Sequence, residues 1–180
     1  IILSATQSFA LIEVDITRGN LDPLPVAVSP LSSDKETNDK LVKELKIENI
    51  GDKISEVVEN NLKNSGLFNP LNKDAFLQKP DIAHLKPRFE DWRLIKAQAL
   101  VTGKLLIKDE KLKVEFRLWD LTAAKEMIAL AFTTTPSNWR RVAHIISDKI
   151  YERLTGEDGY FDTRIIYVAE SGPKNQRVKK

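Results

Sequence analysis

The two histidines are the first candidates for chemistry, because imidazole is a common metal ligand and the usual general base near pH 7. His84 lies between Pro80 and Pro87, and His144 lies at the edge of an apolar helical stripe with Asp148 four residues later. A histidine and a carboxylate at that spacing share one helix face, but two ligands without a third do not form a zinc site. The pattern therefore favours boundary histidines, and the sequence predicts no metal and no cofactor.

Acidic side chains are the second candidates, because two carboxyl groups about 5 to 9 Å apart can cleave a glycoside when one of them has a raised pKa. Glu90 and Asp91 precede Trp92 as an acidic first helical turn would, which the helix dipole favours. Asp148 is predicted on the solvated side of the last helix, with Arg141. Glycine-rich phosphate loops and serine-nucleophile motifs are also absent from the sequence, so we predict that the chain is not an enzyme. The other acidic candidates are Asp120, Glu157 and Asp158.

Basic side chains could indicate nucleic-acid binding, particularly where Trp139 precedes Arg140 and Arg141. The tryptophan falls on the apolar stripe and the arginines fall off it, which favours a core tryptophan beside solvated arginines. The 28 basic and 26 acidic residues leave a net charge of only +2, without the excess typical of nucleic-acid or membrane-surface proteins. We therefore expect no nucleic-acid partner and no membrane insertion.

The composition is that of a soluble globular domain, with 180 residues, 42% of them hydrophobic and 30% charged. There are 0 cysteines, which excludes disulfides and thiolate chemistry. The N-terminus is apolar and reaches Ser8-Phe9-Ala10, a small-x-small pattern typical of a signal-peptidase site. We interpret residues 1–10 as the end of a signal peptide, so that the mature chain begins near Leu11 and is exported.

Hydrophobic periodicity predicts an α/β fold, with helices on one face of a mixed sheet and the element order β-β-α-α-β-β-β-α. Polar residues 32–40 are predicted as a loop, residues 67–71 as a turn and Gln78–Arg88 as an irregular connection. Ser137 is predicted to cap the last helix, whose stripe runs from Trp139 to Leu154. The predicted strands are Ile12–Thr17, Val26–Val28, Ala99–Lys108, Lys111–Asp120 and Met127–Thr135, and the predicted helices are 39–46, Asn49–Ser65, 89–95 and the last helix, which ends before Gly156.

The segment from Ile12 to Thr17 alternates apolar and polar side chains and precedes Gly19 and a proline-rich stretch. Such a strand can pair with its own sheet or with the sheet edge of a partner. A second orphan strand is predicted at Thr163–Ala169, after the last helix has ended. The strand at Thr163–Ala169 predicts a pairing partner outside the α/β domain, and both pairings stay open for Ile12–Thr17.

Six motifs stand in order along the chain: IEVDITRG (12–19), PVAVSPL (25–31), LKNSGLFNPL (62–71), ALVTGKL (99–105), VEFRLWD (114–120) and KIYERLTGEDGYFDTRIIYV (149–168). Together they resemble the TolB family of the Tol-Pal system of Gram-negative envelopes. The segment at 149–168 is the most specific of them, because its Leu154-Thr155-Gly156 and Thr163-Arg164-Ile165 elements are typical of the passage into a second domain. The resemblance implies that residues 11–158 form the N-terminal α/β domain and that residues 159–180 begin a six-bladed β-propeller.

The resemblance also implies a non-enzymatic, monomeric periplasmic scaffold that links the inner-membrane protein TolA to the lipoprotein Pal, for outer-membrane integrity and cell division. Pal would bind the propeller, and TolA would contact the mature N-terminal strand, which switches between a docked and a released state. The alternative is a generic α/β protein-binding module of an exported protein, without a Tol role. The expected TolA-contacting residues are Ile12, Glu13, Val14, Asp15, Ile16, Thr17, Arg18 and Gly19.

Overall fold

A computed structural model describes residues 22–163, 170–171 and 178–179 of the chain. It shows the predicted mixed α/β fold, a sheet with helices packed against it. The strands are β1 (Leu24–Val28), β2 (Ser32–Ser33), β3 (Phe68–Pro70), β4 (Ala99–Lys108), β5 (Lys111–Asp120) and β6 (Lys125–Thr134), with an antiparallel pair β7 (Glu170–Ser171) and β8 (Val178–Lys179) after them. The helices are α1 (Lys35–Leu45), α2 (Ile50–Asn64), α3 (Pro80–Ala83), α4 (Phe89–Leu94) and α5 (Trp139–Thr155), and 3-10 turns cover Lys73–Ala75 and Pro136–Asn138.

The sheet has the strand order β3-β1-β4-β5-β6, with β2 also pairing with β4. β1 runs parallel to β3 and β4, whereas β4, β5 and β6 form an antiparallel meander. Asp109 and Glu110 connect β4 to β5 with φ angles of 50° and 57°. Positive φ at both residues gives a two-residue hairpin turn that matches the right-handed twist of the strands. The predicted meander and its hairpin tip are therefore confirmed.

The helical face of the sheet, which α1, α2 and α5 cover, carries the larger core. The alternating strand β5 buries its even-numbered side chains there, as its sequence predicts. Gly66 and Gly156 follow α2 and α5 with φ angles of 76° and 75°, so both predicted C-terminal glycines are confirmed. The buried residues of the two helical stripes are Ile50, Ile54, Val58 and Leu62 on α2, and Trp139, Val142, Ala143, Ile146, Ile150 and Leu154 on α5, with Val57 half-buried.

The opposite face of the sheet, which we call the outer face, is covered at one end by α3 and α4. Trp92 of α4 packs there with Leu100 and Trp119, and its Nε1 donates a hydrogen bond of 3.0 Å to Gln78 Oε1. The prediction of helices on one face only was therefore wrong. Helical spacing predicts the helix at 89–95, which is α4, but does not state which face of the sheet that helix covers. The helix α3 has 4 residues, too few to show a helical period.

The predicted loop at residues 32–40 was also wrong, because it contains β2 and the first half of α1. Asp34 caps the helix by accepting a hydrogen bond of 2.8 Å from Thr37 N, and this bond lowers the pKa of the Asp34 carboxyl. Glu36 and Lys40 then form an ion pair of 2.7 Å along the exposed side. The helix predicted at 39–46 is confirmed but begins earlier.

Two further predictions fail in detail. Residues 67–71 contain the strand β3 rather than a turn alone, since Phe68 pairs with Leu24 of β1. Ser137 does not cap α5: its Oγ lies 3.0 Å from Thr135 Oγ1, and α5 begins after a 3-10 turn. The predicted strand at 12–17 and all of Thr163–Ala169 beyond its first residue lie outside the described residues.

Candidate partner-binding surface

The two histidines lie in different parts of the molecule and do not combine. His84 follows α3 on the outer face and is only 8% exposed. Burial is the main cause that lowers the pKa of His84, and the positive charge of Arg117 lowers it further. His144 Nδ1 lies 2.9 Å from Asn61 Nδ2, so it connects α5 to α2. Within the described ranges, three or more ligand-type side chains never gather as a metal site would require.

The candidate carboxylates serve local structure. Glu90 and Asp91 stand in the first turn of α4, as predicted, and pair with Arg93 and Arg88 at 2.6 Å each. Asp120 is fully buried and accepts a hydrogen bond of 2.8 Å from Ala123 N, which holds the turn between β5 and β6. Glu157 and Asp158 are exposed in the segment after α5.

Asp148 does not lie on a solvated helix side, as the sequence predicted. Its two carboxylate oxygens accept hydrogen bonds from the backbone N–H groups of Phe161 (2.7 Å) and Asp162 (3.1 Å). A Cβ atom at Gly159 would lie 2.4 Å from Asp148 Cα, so only glycine allows this approach. Arg141 NH2 adds an ion pair of 3.1 Å to Asp162. Asp148 therefore holds the segment that leaves α5.

Trp139 is 6% exposed and belongs to the helical-face core, as predicted. The guanidinium carbon of the exposed Arg140 lies 4.6 Å from the Trp139 ring centroid, a cation–π distance. The tryptophan is therefore not available to stack on a nucleobase.

Glu59 of α2 is a perturbed carboxylate that sequence reasoning missed. Burial raises its pKa although Lys73 Nζ lies 3.1 Å away, because the desolvation effect is larger than the attraction. It borders an open depression with Lys63, Leu71 and Lys73. The helical pattern of α2 does not predict that Glu59 is buried, because its burial depends on the 3-10 turn that begins at Lys73.

The predicted TolA-contacting residues, Ile12 to Gly19, lie outside the described residues. The described chain begins with exposed Asp22 and Pro23 and passes directly into β1. Leu24 N donates to Leu67 O at 2.9 Å, and Val26 and Val28 are fully buried. Any segment before residue 22 is therefore joined to one of the most deeply buried strands of the sheet.

These observations define a class: a small α/β domain in which Glu90, Asp91, Asp120, Asp148 and His144 each contact neighbouring backbone or side chains. No described helix has the length and apolar character needed to cross a membrane. The chain belongs to the TolB family, because the model of the TolB amino-terminal domain matches residues 12–127.

Comparison with individual proteins agrees with this family. The chain is 72% identical over 179 residues to the Tol-Pal system protein TolB of Pelagibacter ubique (strain HTCC1062), covering 99% of this chain and 40% of that protein. The crystal structure of TolB from Acinetobacter baumannii has the same fold, with a TM-score of 0.64 at 22% identity, over 88% of this chain and 35% of that one. The chain thus spans about two fifths of the length of the curated relative.

Proposed function

We propose that this chain belongs to a non-enzymatic periplasmic scaffold of the Tol-Pal system that links TolA to Pal. The observation that carries the proposal is the 72% identity to a Tol-Pal system protein over nearly the whole chain. A scaffold needs surfaces rather than a reactive centre, which fits a domain in which most candidate carboxylates serve local structure. Pal binding belongs, in this proposal, to a propeller that follows the α/β domain.

The TolA contact is assigned to Ile12–Gly19. Ile12, Val14 and Ile16 form the apolar side of this segment, and Glu13 and Asp15 lie on the other side. In the docked state the apolar side is buried on the protein's own surface, and in the released state it pairs with TolA. A partner shifts these populations only by its differential affinity, and the coupling between TolA and Pal is reciprocal.

A titration of the C-terminal periplasmic domain of TolA tests the proposal, with this chain starting at Leu11 and again at Asn20. We expect binding only by the longer chain. Val14→Asp should weaken binding because it places a charge on the apolar side, whereas Thr17→Asp, on the polar side, is the matched control. Equal binding by both chains would instead assign the contact to the α/β body.

Nucleic-acid binding is the function to exclude in the same assay. An affinity for DNA or RNA that fell steeply with salt would contradict the scaffold proposal, because that dependence reports phosphate contacts.

A further inference from the structure

The strand β6 ends the sheet and has 10 residues, and no other described strand pairs with its outer edge. Between Glu126 and the end of the strand there is neither a charged residue nor a proline. Natural edge strands are usually short, or are interrupted by charges, prolines or bulges that prevent pairing with another chain. This edge has one bulge near its start, where the register shifts between Leu118 and Trp119 of β5, and regular pairing from Ile128 onwards.

The register determines which backbone groups of β6 face outward. On β4, the carbonyl of Val101 accepts from Ser29 N and the amide of Ile107 donates to Thr37 Oγ1, so odd-numbered β4 residues point away from β5. Antiparallel pairs alternate strictly, and even-numbered residues of β5 therefore point toward β6. It follows that the free N–H and C=O groups of β6 belong to Ala129, Ala131 and Thr133.

The side chains along this edge suit an added strand on both faces. Ile128 and Phe132 are half-buried on the helical face, and Leu130 between them is 41% exposed. On the outer face, Ala129 and Ala131 are small and exposed. A further strand with apolar side chains on the helical face would extend the core that Leu130 leaves open.

The positive charge of the outer face indicates which side chains an added strand would place on that face. Arg117 lies opposite Ala129, Glu115 opposite Ala131 and Lys113 opposite Thr133. An alanine therefore separates Arg117, and a threonine separates Lys113, from long side chains on a strand outside β6. Two acidic residues share this face, and each already pairs with one of these cations: Glu126 with Arg117 and Glu115 with Lys113. The cations on the outer face of β4 and β5 are Lys104, Lys108, Lys111, Lys113 and Arg117.

We propose that β6 is a strand-addition site for an extended segment of a partner protein in which apolar residues alternate with acidic ones. The site lies on the α/β body and does not depend on the TolA contact proposed above. The segment pairs its backbone with Ala129, Ala131 and Thr133 and places its apolar side chains beside Leu130. It directs carboxylates over Ala129 toward Arg117 and over Thr133 toward Lys113.

The chain's own N-terminal segment has this alternation but is poorly placed to bind in cis. An added strand lies four strand spacings from β1, or about 19 Å. The residues from Arg18 to Leu24 span at most about 22 Å when fully extended, which leaves almost no slack. That path must also pass the turn at 121–124, so a partner segment in trans is the better occupant.

Hydrogen exchange of the 180-residue chain tests this proposal, with the synthetic peptide Val-Glu-Val-Glu-Val-Glu-Val as the probe. We expect the peptide to protect the amides of Ala129, Ala131 and Thr133, and to leave Ile128, Leu130 and Phe132 unchanged because β5 already holds them. Ala131→Pro removes one outward N–H and should weaken binding by about tenfold, the loss expected for one hydrogen bond. Ala131→Thr keeps the N–H, so its loss of binding should be clearly smaller than that of Ala131→Pro.

Several outcomes would overturn the proposal. These are no protection at millimolar peptide, protection without the alternating pattern, or equal binding of a peptide with lysine in place of glutamate. Protection of the three amides without peptide would assign the edge to another occupant. It would be a second copy if protection rose with protein concentration, or the N-terminal segment if protection vanished in a chain that begins at Asn20.

Discussion

The two edges of the sheet differ in almost every property that controls strand pairing. At one edge, β3 has 3 residues, includes Pro70, and buries Phe68 against Tyr151 with ring centroids 6.1 Å apart. At the other, β6 has 10 residues and an exposed Leu130. One edge is therefore closed by core packing, whereas no other described strand pairs with the second edge. Under the strand-addition proposal, stability and recognition lie on opposite sides of one sheet.

The closed edge should show the largest cost of mutation. We expect Phe68→Ala to lower the free energy of unfolding by about 3–5 kcal/mol, because it leaves a cavity between β3 and α5. Leu130→Ala on the open edge should cost about 1 kcal/mol or less. Urea denaturation measures both, and similar losses at the two sites would remove the contrast.

The two sides of β6 itself should differ next. Leu130→Pro removes an N–H that the register directs to Phe116, and should cost about 2–4 kcal/mol. Ala131→Pro removes an outward N–H and should cost about 1 kcal/mol or less. Thermal and urea unfolding measure the stability of the two proline variants, and Leu130→Ala corrects for the loss of the leucine side chain. A larger loss of stability for Ala131→Pro than for Leu130→Pro would show that the register is different.

The closed side continues into an aromatic cluster that Asp148 supports. Tyr151 contacts Tyr160 and Phe161 with centroids 5.4 and 5.9 Å apart, and Asp148 holds the Phe161 amide. Asp148→Ala should cost about 1–3 kcal/mol because two backbone donors lose their acceptor. Asp148→Asn should retain part of this stability, and faster hydrogen exchange at residues 161–162 in the alanine variant is the accompanying sign. Unchanged exchange there would contradict the role.

The closed side also carries a carboxyl group with a raised pKa. Glu59 keeps its proton in the folded chain above its ordinary pKa of 4.5, whereas the unfolded chain loses it there. The folded state then binds more protons, so this group makes stability fall as pH rises through that window. We expect Glu59→Gln to remove this component from the pH dependence of unfolding between pH 4 and 7, and a variant with the same slope would disprove it.

On the outer face the expected pH dependence has the opposite sign and is the smallest effect. Burial lowers the pKa of His84 below its ordinary 6.5, so the unfolded chain takes up a proton first as the pH falls. Stability from this group is present above pH 6.5 and is lost below it. His84→Gln should flatten the unfolding free energy between pH 7 and 5. A slope that survives the substitution would assign it to other groups.

The two proposed contact sites, Ile12–Gly19 and the strand β6, differ in how much of each the sequence predicts. Ile12–Gly19 came from alternation and family resemblance, and because these residues lie outside the described ranges, the TolA contact stays a prediction. The strand β6 was predicted within two residues, but its position at the sheet edge could not be, because a strand pattern does not state how many neighbours the strand has.

The sequence by itself determined the meander, the helices α2 and α5 and their glycine ends, because those features follow from local period and turn chemistry. Tertiary structure alone decided that β3 pairs with β1, that Asp148 faces the segment after α5, and that His84, at the end of α3, is buried. Each of these depends on residues distant in sequence. The local sequence pattern determines which face of its helix or strand a side chain occupies. Only the packed fold determines which residues that face contacts.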